Sequence, residues 1–398
     1  MAERYLDFDE PVNRKNTGSL KYDFAAENGY PENVLPLWVA DMDFRTSSFV
    51  EDALCALAHY NLFGYTNTRP GDGFFEAVSG WMKRHHQWDV RPEWLVKTPG
   101  VCFAISMAVR AFTRPGDAVL IQQPVYYPFS GLIRDNGRKM VSSDLVQDEE
   151  GRYVTDFEDF ERKIAENNVQ MFILCNPHNP VGRSWTEEEL LRIGGICRDH
   201  GVTVFSDEIH LDFVWNGSHR VFQEQDPAFR SFTVTATSPS KTFNLAGLQQ
   251  SSIFIPNEDL RELFSREIRK TGYDEPNIFG ITAAKAAYTH GDEWYSAMKA
   301  YVRENIRYAA AFVRKRLPGV VLREPEATYL LWLDFRQTGL NPEELEDLIV
   351  RRAGLWLDRG DMFGAPGSGF QRINVACPRK TLTAALERLE KALVSSRG

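Results

Sequence analysis

Short apolar runs alternate with stretches of helical period along most of this chain. The runs at 118–121, 169–175, 202–205 and 232–236 are apolar with little polar alternation. Such runs, bounded by turn residues, read as strands covered on both faces. The stretch from Trp94 to Val101 reads as a further strand and turn that opens a helix over 102–112. Before it, helices are expected at 46–60, with Ser47 or Ser48 as cap, and at 74–86. The pair His85–His86 closes the second of these, and we place it at a wet helix end. It is not read as a metal site, because neighbours at i and i+1 face apart. A helix capped by Thr186, with Glu189 three residues on, carries the capping-box pattern.

Strand, turn and helix repeated in this way imply an α/β chain with a mostly parallel sheet between helices. After about Gly272 the pattern changes. A long helix is expected over 292–317, strands at 320–322, 329–334 and 371–376, and helices at 342–353 and 381–395. That order suggests a smaller α+β C-terminal domain. The expected organisation is an N-terminal arm, 1–44, contributing to the small domain; a large domain, 45–290; and the small domain, 291–398. Ligands of parallel sheets sit beyond the carboxyl ends of the strands, and here each strand runs into polar, aromatic or glycine residues.

Charge narrows the partners. A net charge of -9 and an isoelectric point near 5.5 disfavour nucleic acid and anionic membrane surfaces. The N-terminus is charged, without the apolar core of a signal peptide, and no apolar stretch reaches membrane-spanning length. Five scattered cysteines without a C-x-x-C pair suit free thiols in a reducing compartment. The expectation is a soluble protein of the cytoplasm.

Candidate chemistry gathers at the strand ends. Lys241 stands in Ser238-Pro-Ser240-Lys just past the run 232–236. A buried ammonium there must be paired, neutral or consumed in a covalent bond such as a Schiff base to an aldehyde cofactor. Alternatively it is a surface lysine in a loop. Asp207 ends another strand, where it could cap a turn or pair with the nitrogen of a pyridine ring. Asn179 lies in the turn Asn-Pro-His-Asn-Pro, either as loop chemistry or as donor to a ring oxygen. Tyr126 and Tyr127 could be core aromatics or a stacking surface. Backbone amides of Gly100 and Val101 open a helix and could hold a phosphate, with hydroxyls of Ser238 and Ser240 beside them. Arg372, in a strand-like context, suits a bidentate grip on a carboxylate.

Asn-Pro-His-Asn-Pro-Val-Gly182, Ser-Asp-Glu-Ile-His210, Ser-Pro-Ser-Lys-Thr-Phe-Asn244 and Arg-Ile-Asn374, in this order, resemble a fold-type I pyridoxal phosphate enzyme of the class I/II aminotransferase superfamily. The resemblance spans nearly the whole chain. Asn13-Arg-Lys-Asn-Thr-Gly-Ser-Leu-Lys-Tyr-Asp23, Trp38-Val-Ala-Asp-Met-Asp-Phe44 and Asp207-Glu-Ile-His-Leu-Asp212 are similar to signatures of its MalY/PatB group of cystathionine β-lyases, or C–S lyases. It implies pyridoxal 5'-phosphate as cofactor, attached to Lys241. Tyr126, rather than Tyr127, matches the ring-stacking position. His210 stands where aminotransferases usually carry a tyrosine, and Gln249 where they usually carry an arginine for the phosphate. Arg372 and Ala40 match substrate-binding positions. Tyr65, in the turn-rich loop 63–72, would reach the partner's cofactor in a homodimer with shared sites. The implied reaction is α,β-elimination from cystathionine or a cysteine S-conjugate, with Lys241 as base and Tyr65 or Tyr126 as acid for the sulfur. The alternatives are an aminotransferase and a catalytically silent binding protein on the same fold.

Overall fold

Both neighbours of the strand Ser251–Phe254 run against it, and every other pairing in the central sheet is parallel. The structure is a computed structural model that describes residues 2–66 and 71–395. Its seven-stranded sheet has the order Leu95–Thr98, Ser251–Phe254, Thr233–Thr237, Thr203–Asp207, Val169–Cys175, Ala118–Ile121, Lys139–Ser142. Because successive side chains of a strand point to opposite faces, the continuous apolar runs feed two separate cores. Val119, Met171, Ile173 and Phe205 pack with the helices Val101–Phe112 and Glu258–Lys270 on one face. Leu120, Phe172, Leu174 and Val204 pack with Phe157–Asn167 and Glu187–Asp199 on the other.

Local chemistry sets the helix ends. Thr186 and Glu189 form the expected capping box, and Ser47 caps Ser48–Tyr60 by accepting from the Phe49 amide. Phe74–His86 has the expected bounds, but its end is not wet. His86 bonds the buried Asp212 at 2.7 Å, while His85 stacks on Trp81 and bonds Asp292. The chain turns inward there through Gln87, in the left-handed region, to bury Trp88, so the His86 ring is carried under protein while His85 stays partly exposed. The helix expected from Pro342 is α-helical only to Glu346 and continues as a wider π turn over Asp347–Arg352.

A 25-residue helix, Asp292–Arg316, leads to a four-stranded antiparallel sheet ordered Val321–Leu322, Leu330–Asp334, Phe370–Asn374, Asp358–Arg359. The N-terminal arm reaches this part: Leu35–Pro36 pairs with Leu355–Trp356, and Trp38 stacks on Trp356 at 4.6 Å. Of the loop 63–72, residues 67–70, which include the cation Arg69, lie outside the described residues. No helix among the described residues is long and apolar enough to cross a membrane.

Candidate active site

Beyond the carboxyl ends of the parallel strands lies a cavity of about 200 Å³. It draws residues from remote parts of the sequence: Ala40, Gly100, Tyr126, Asn179, Asp207 and Lys241 all line it. A larger cavity of about 300 Å³, beside the Lys97–Asp72 ion pair, lies apart from these groups.

Lys241 sits on a single helical turn, Pro239–Thr242, that follows the strand Thr233–Thr237 directly. Its Nζ donates to the Ala40 carbonyl at 2.7 Å. Burial pulls it below the usual ammonium value; Asp41 works against that shift and Arg372 with it. A lysine so held gives up its proton more readily than one in water.

Asp207, at the end of Thr203–Asp207, is buried, and burial pushes its carboxyl up to about 7. The Ile209 amide donates to it at 3.1 Å, and no ion pair engages it among the described residues. A buried carboxylate without a cation is costly, so this group fits a cationic ring nitrogen. Beside it His210 is buried with Nδ1 unpartnered. Burial, then Lys241 and Arg372, holds His210 well below the usual value and hence neutral.

Asn179 is oriented by its neighbour. Its Oδ1 accepts from Arg372 Nη1 at 2.8 Å, which leaves Nδ2 as the donor for the cavity. Tyr126 lines the cavity, whereas Tyr127 packs edge-on against Phe363 at 5.6 Å. Burial raises the Tyr126 hydroxyl well above its usual value, so it stays protonated.

At the other end, Gly100 precedes the helix Val101–Phe112, whose first amides have no intrahelical acceptor. A Cβ at Gly100 would meet nothing within 4 Å, so the space before these amides is open. Ser238 and Ser240 lie alongside, but Ser238 Oγ bonds the Gln250 carbonyl at 2.7 Å and accepts from the Ser240 amide. Ser240 Oγ, 2.9 Å from Ser238 Oγ, is the hydroxyl of the two that no backbone carbonyl engages. Gln249 lines the same end. Open amides, a hydroxyl and a buried acid that no ion pair engages among the described residues together fit pyridoxal 5'-phosphate.

Two expected residues are placed differently from the rest. Arg372 is buried behind Asn179, not free at the wall: Asp358 pairs with it, and the Trp38 carbonyl accepts from Nη2 at 3.0 Å. Its Nε has no partner. The antiparallel pairing of Asp358 with Arg372 across two strands causes this. Tyr65 is 94% exposed and lies near Phe63, Pro276 and Ile278, away from the cavity of its own chain. Sequence reasoning passed over Cys102 and Cys175, which also line the cavity, and Asp358. The position of Cys102 next to Val101 was the available signal for the first; for Asp358 it was an acid ending the apolar run Leu355-Trp-Leu357.

Residues 32–389 match the sequence model of the family aminotransferase class I and II. Cystathionine beta-lyase PatB of Bacillus subtilis (strain 168) is 43% identical over 389 residues, which cover 98% of this chain and all of that protein. Cystalysin from Treponema denticola, solved with pyridoxal 5'-phosphate, superposes with a TM-score of 0.93 at 36% identity, over 98% of this chain and 99% of its own. A pyridoxal phosphate-bound putative aminotransferase from Clostridium difficile 630 superposes with a TM-score of 0.94 at 40% identity, over 98% of this chain and all of its own.

Proposed function

The chain belongs to the aminotransferase class I and II family, and we propose that it acts there as a carbon–sulfur lyase on cystathionine or a cysteine S-conjugate. The observation that carries the reading is that one cavity holds both Lys241 and the buried Asp207, which no ion pair engages among the described residues. Gln249 supports a lyase, since the phosphate end offers amides and a hydroxyl where the aminotransferase pattern places an arginine.

Pyridoxal 5'-phosphate, when bound, supplies an aldehyde that condenses with amines and a ring that draws electrons from the substrate's Cα. Asp207 would hold a proton on the ring nitrogen, and Asn179 Nδ2 would donate to the ring oxygen. Tyr126 would cover one ring face, while the amides at Gly100–Val101 and the Ser240 hydroxyl, with Ser238 behind it, hold the phosphate. His210, neutral and buried, fills the wall beside Asp207. Arg372, sharing its guanidinium with Asp358, would fix the α-carboxylate near Ala40. Lys241 Nζ, lowered in basicity by burial, would take the Cα proton, a positioned base being worth ~10²–10⁴-fold. The Cβ–S bond then breaks with its electron pair on sulfur. The thiolate would take a proton from the hydroxyl of Tyr126 or of the partner's Tyr65. Hydrolysis of the three-carbon remainder gives pyruvate and ammonia.

The exposed group Tyr60, Leu62, Phe63 and Tyr65 supports a homodimer in which Tyr65 enters the neighbouring site. The free cysteines support a cytoplasmic location. Purified enzyme given L-cystathionine without any 2-oxo acid should release pyruvate and a free thiol. Strict dependence on a 2-oxo acid acceptor would replace this reading with the aminotransferase.

A further inference from the structure

Two sequence stretches, 13–23 and 38–44, of which the mechanism uses only Ala40, meet beside the active site. Arg14 Nη1 donates to Asp41 at 3.0 Å and Asp43 at 2.9 Å, and its Nη2 donates to Asp41 at 2.7 Å and Ser19 at 3.1 Å. Lys21, fully buried, donates to Asp43 at 2.9 Å and to the Asp41 carbonyl at 3.2 Å. Two cations and two carboxylates balance.

Between these acids and Trp38 the backbone forms a strap that touches both ends of the substrate site. The Trp38 carbonyl accepts from Arg372, and the Ala40 carbonyl from Lys241. Asn374 holds the carbonyls of Val39 and Asp41, and Asn244 brackets Met42 through its amide and carbonyl. Asn244 comes from the loop of Lys241 and Asn374 from the strand of Arg372. A buried ion cluster is weak evidence for stability, because apolar packing often serves as well. Its cost is explained if the charges act on a neighbour.

We propose that Arg14, with Lys21 beside it, is a positioning residue: through Asp41 and Ala40 it sets both the place and the electrostatic surroundings of Lys241 Nζ. Asp41 is held below the usual carboxylate range by Arg14 and Lys21 despite its burial, and its charge favours the protonated form of Lys241. The other groups facing Lys241 are Arg372, Cys102, Asp207 and His210, with the Tyr329 hydroxyl on the same Ala40 carbonyl. None of them is tied to Arg14, so changes at Arg14 and Asp41 should be read at Lys241 with opposite sign.

The inference rests on Lys241 carrying the cofactor, and the test separates the two. Borohydride reduction of the parent holoenzyme should fix the cofactor on the peptide containing Lys241; its absence there sinks the reading of the site itself. With the adduct present, the pH midpoint of the cofactor's near-visible absorption band is titrated in variants. Arg14→Gln leaves the cluster net negative and should raise the midpoint by roughly half a unit or more, a threefold change in proton affinity. Asp41→Asn should lower it, and Arg14→Lys should return it towards the parent. Arg4→Gln, which removes an exposed pair with Asp52 in the same arm, should leave it unmoved. Shifts of the same sign in Arg14→Gln and Asp41→Asn, or none in either, overturn the proposal. Should Arg14→Gln fail to fold, the Asp41→Asn and Arg14→Lys pair decides it.

Discussion

Asp207→Asn should strengthen the empty protein and cripple the loaded one. The ordinary carboxyl value of 3.8 is pushed to about 7 in the folded chain, chiefly by burial. Below about pH 4 both folded and unfolded states hold the proton, and the group costs nothing. As the pH rises through that range the unfolded chain sheds it first, so stability falls until the folded group also ionises near pH 7. The full penalty is about 4 kcal/mol, of which roughly 3 falls between pH 5 and pH 8. An asparagine keeps the bond from the Ile209 amide and removes the charge. Urea denaturation of apoprotein at pH 5 and pH 8 should therefore show the variant gaining on the parent by roughly 3 kcal/mol across the interval. With cofactor bound the sign reverses. Loss of an opposite charge at the ring nitrogen is worth ~1–3 pKa units, so kcat for pyruvate release should drop ~10–1000-fold at matched occupancy. Identical pH slopes for the two apoproteins, or a loaded variant within threefold of the parent, would refute the assignment.

If Tyr65 works across a dimer, mixing and refolding the inactive variants Tyr65→Ala and Lys241→Ala should restore about a quarter of parental activity, since half the dimers carry one complete site. No recovery would place Tyr65 outside the chemistry. Gln249→Arg, in a backbone conformation that already holds a side chain at φ 53°, should tighten cofactor binding by up to about tenfold in a fluorescence titration. An unchanged Kd would locate the phosphate elsewhere. Gly360→Ala would set a Cβ 2.0 Å from the Gly367 carbonyl, where only backbone can yield. A loss of ~1–3 kcal/mol, read as a lowered Tm, is expected.

Local rules carried most of the elements. The capping box at Thr186, the strands Ala118–Ile121 and Val169–Cys175 and the helix Phe74–His86 follow from residues within one turn or one strand of each other. The strand-end acids and Lys241 were legible for a related reason, because a charge ending an apolar run is conspicuous without knowledge of its partners. What stayed hidden depends on pairing over distance. His86 was expected in water because its partner Asp212 lies 126 positions away. The carboxylate of the protein that Arg372 meets stayed hidden because Asp358 belongs to a two-residue strand too short to read. Tyr65, 94% exposed, lies away from the cavity of its own chain among the described residues, and a single sequence does not show a second copy.

The acids just past the Asp207 strand show that this fold supplies partners where it has a use for them. Glu208 accepts from the Ser206 hydroxyl and the Phe222 amide and bonds His219 at 2.6 Å. Asp212 is bonded by Trp81, His86 and Thr242, which bring it below the usual carboxylate range although burial works the other way. Both acids are as deeply buried as Asp207, so depth alone does not explain its isolation. Chance isolation is a poor account as well, since a neighbouring histidine, His210, is present and is kept neutral with a nitrogen unpartnered. A carboxylate left with one amide, just ahead of two acids that are fully satisfied, marks the position where the missing partner comes from the ligand. Supplying that partner from the protein, for instance by a lysine in place of His210, should stabilise the apoprotein at pH 8 and weaken the cofactor's hold. A lysine at 210 that left cofactor affinity intact would show that the cation Asp207 awaits is not the ring.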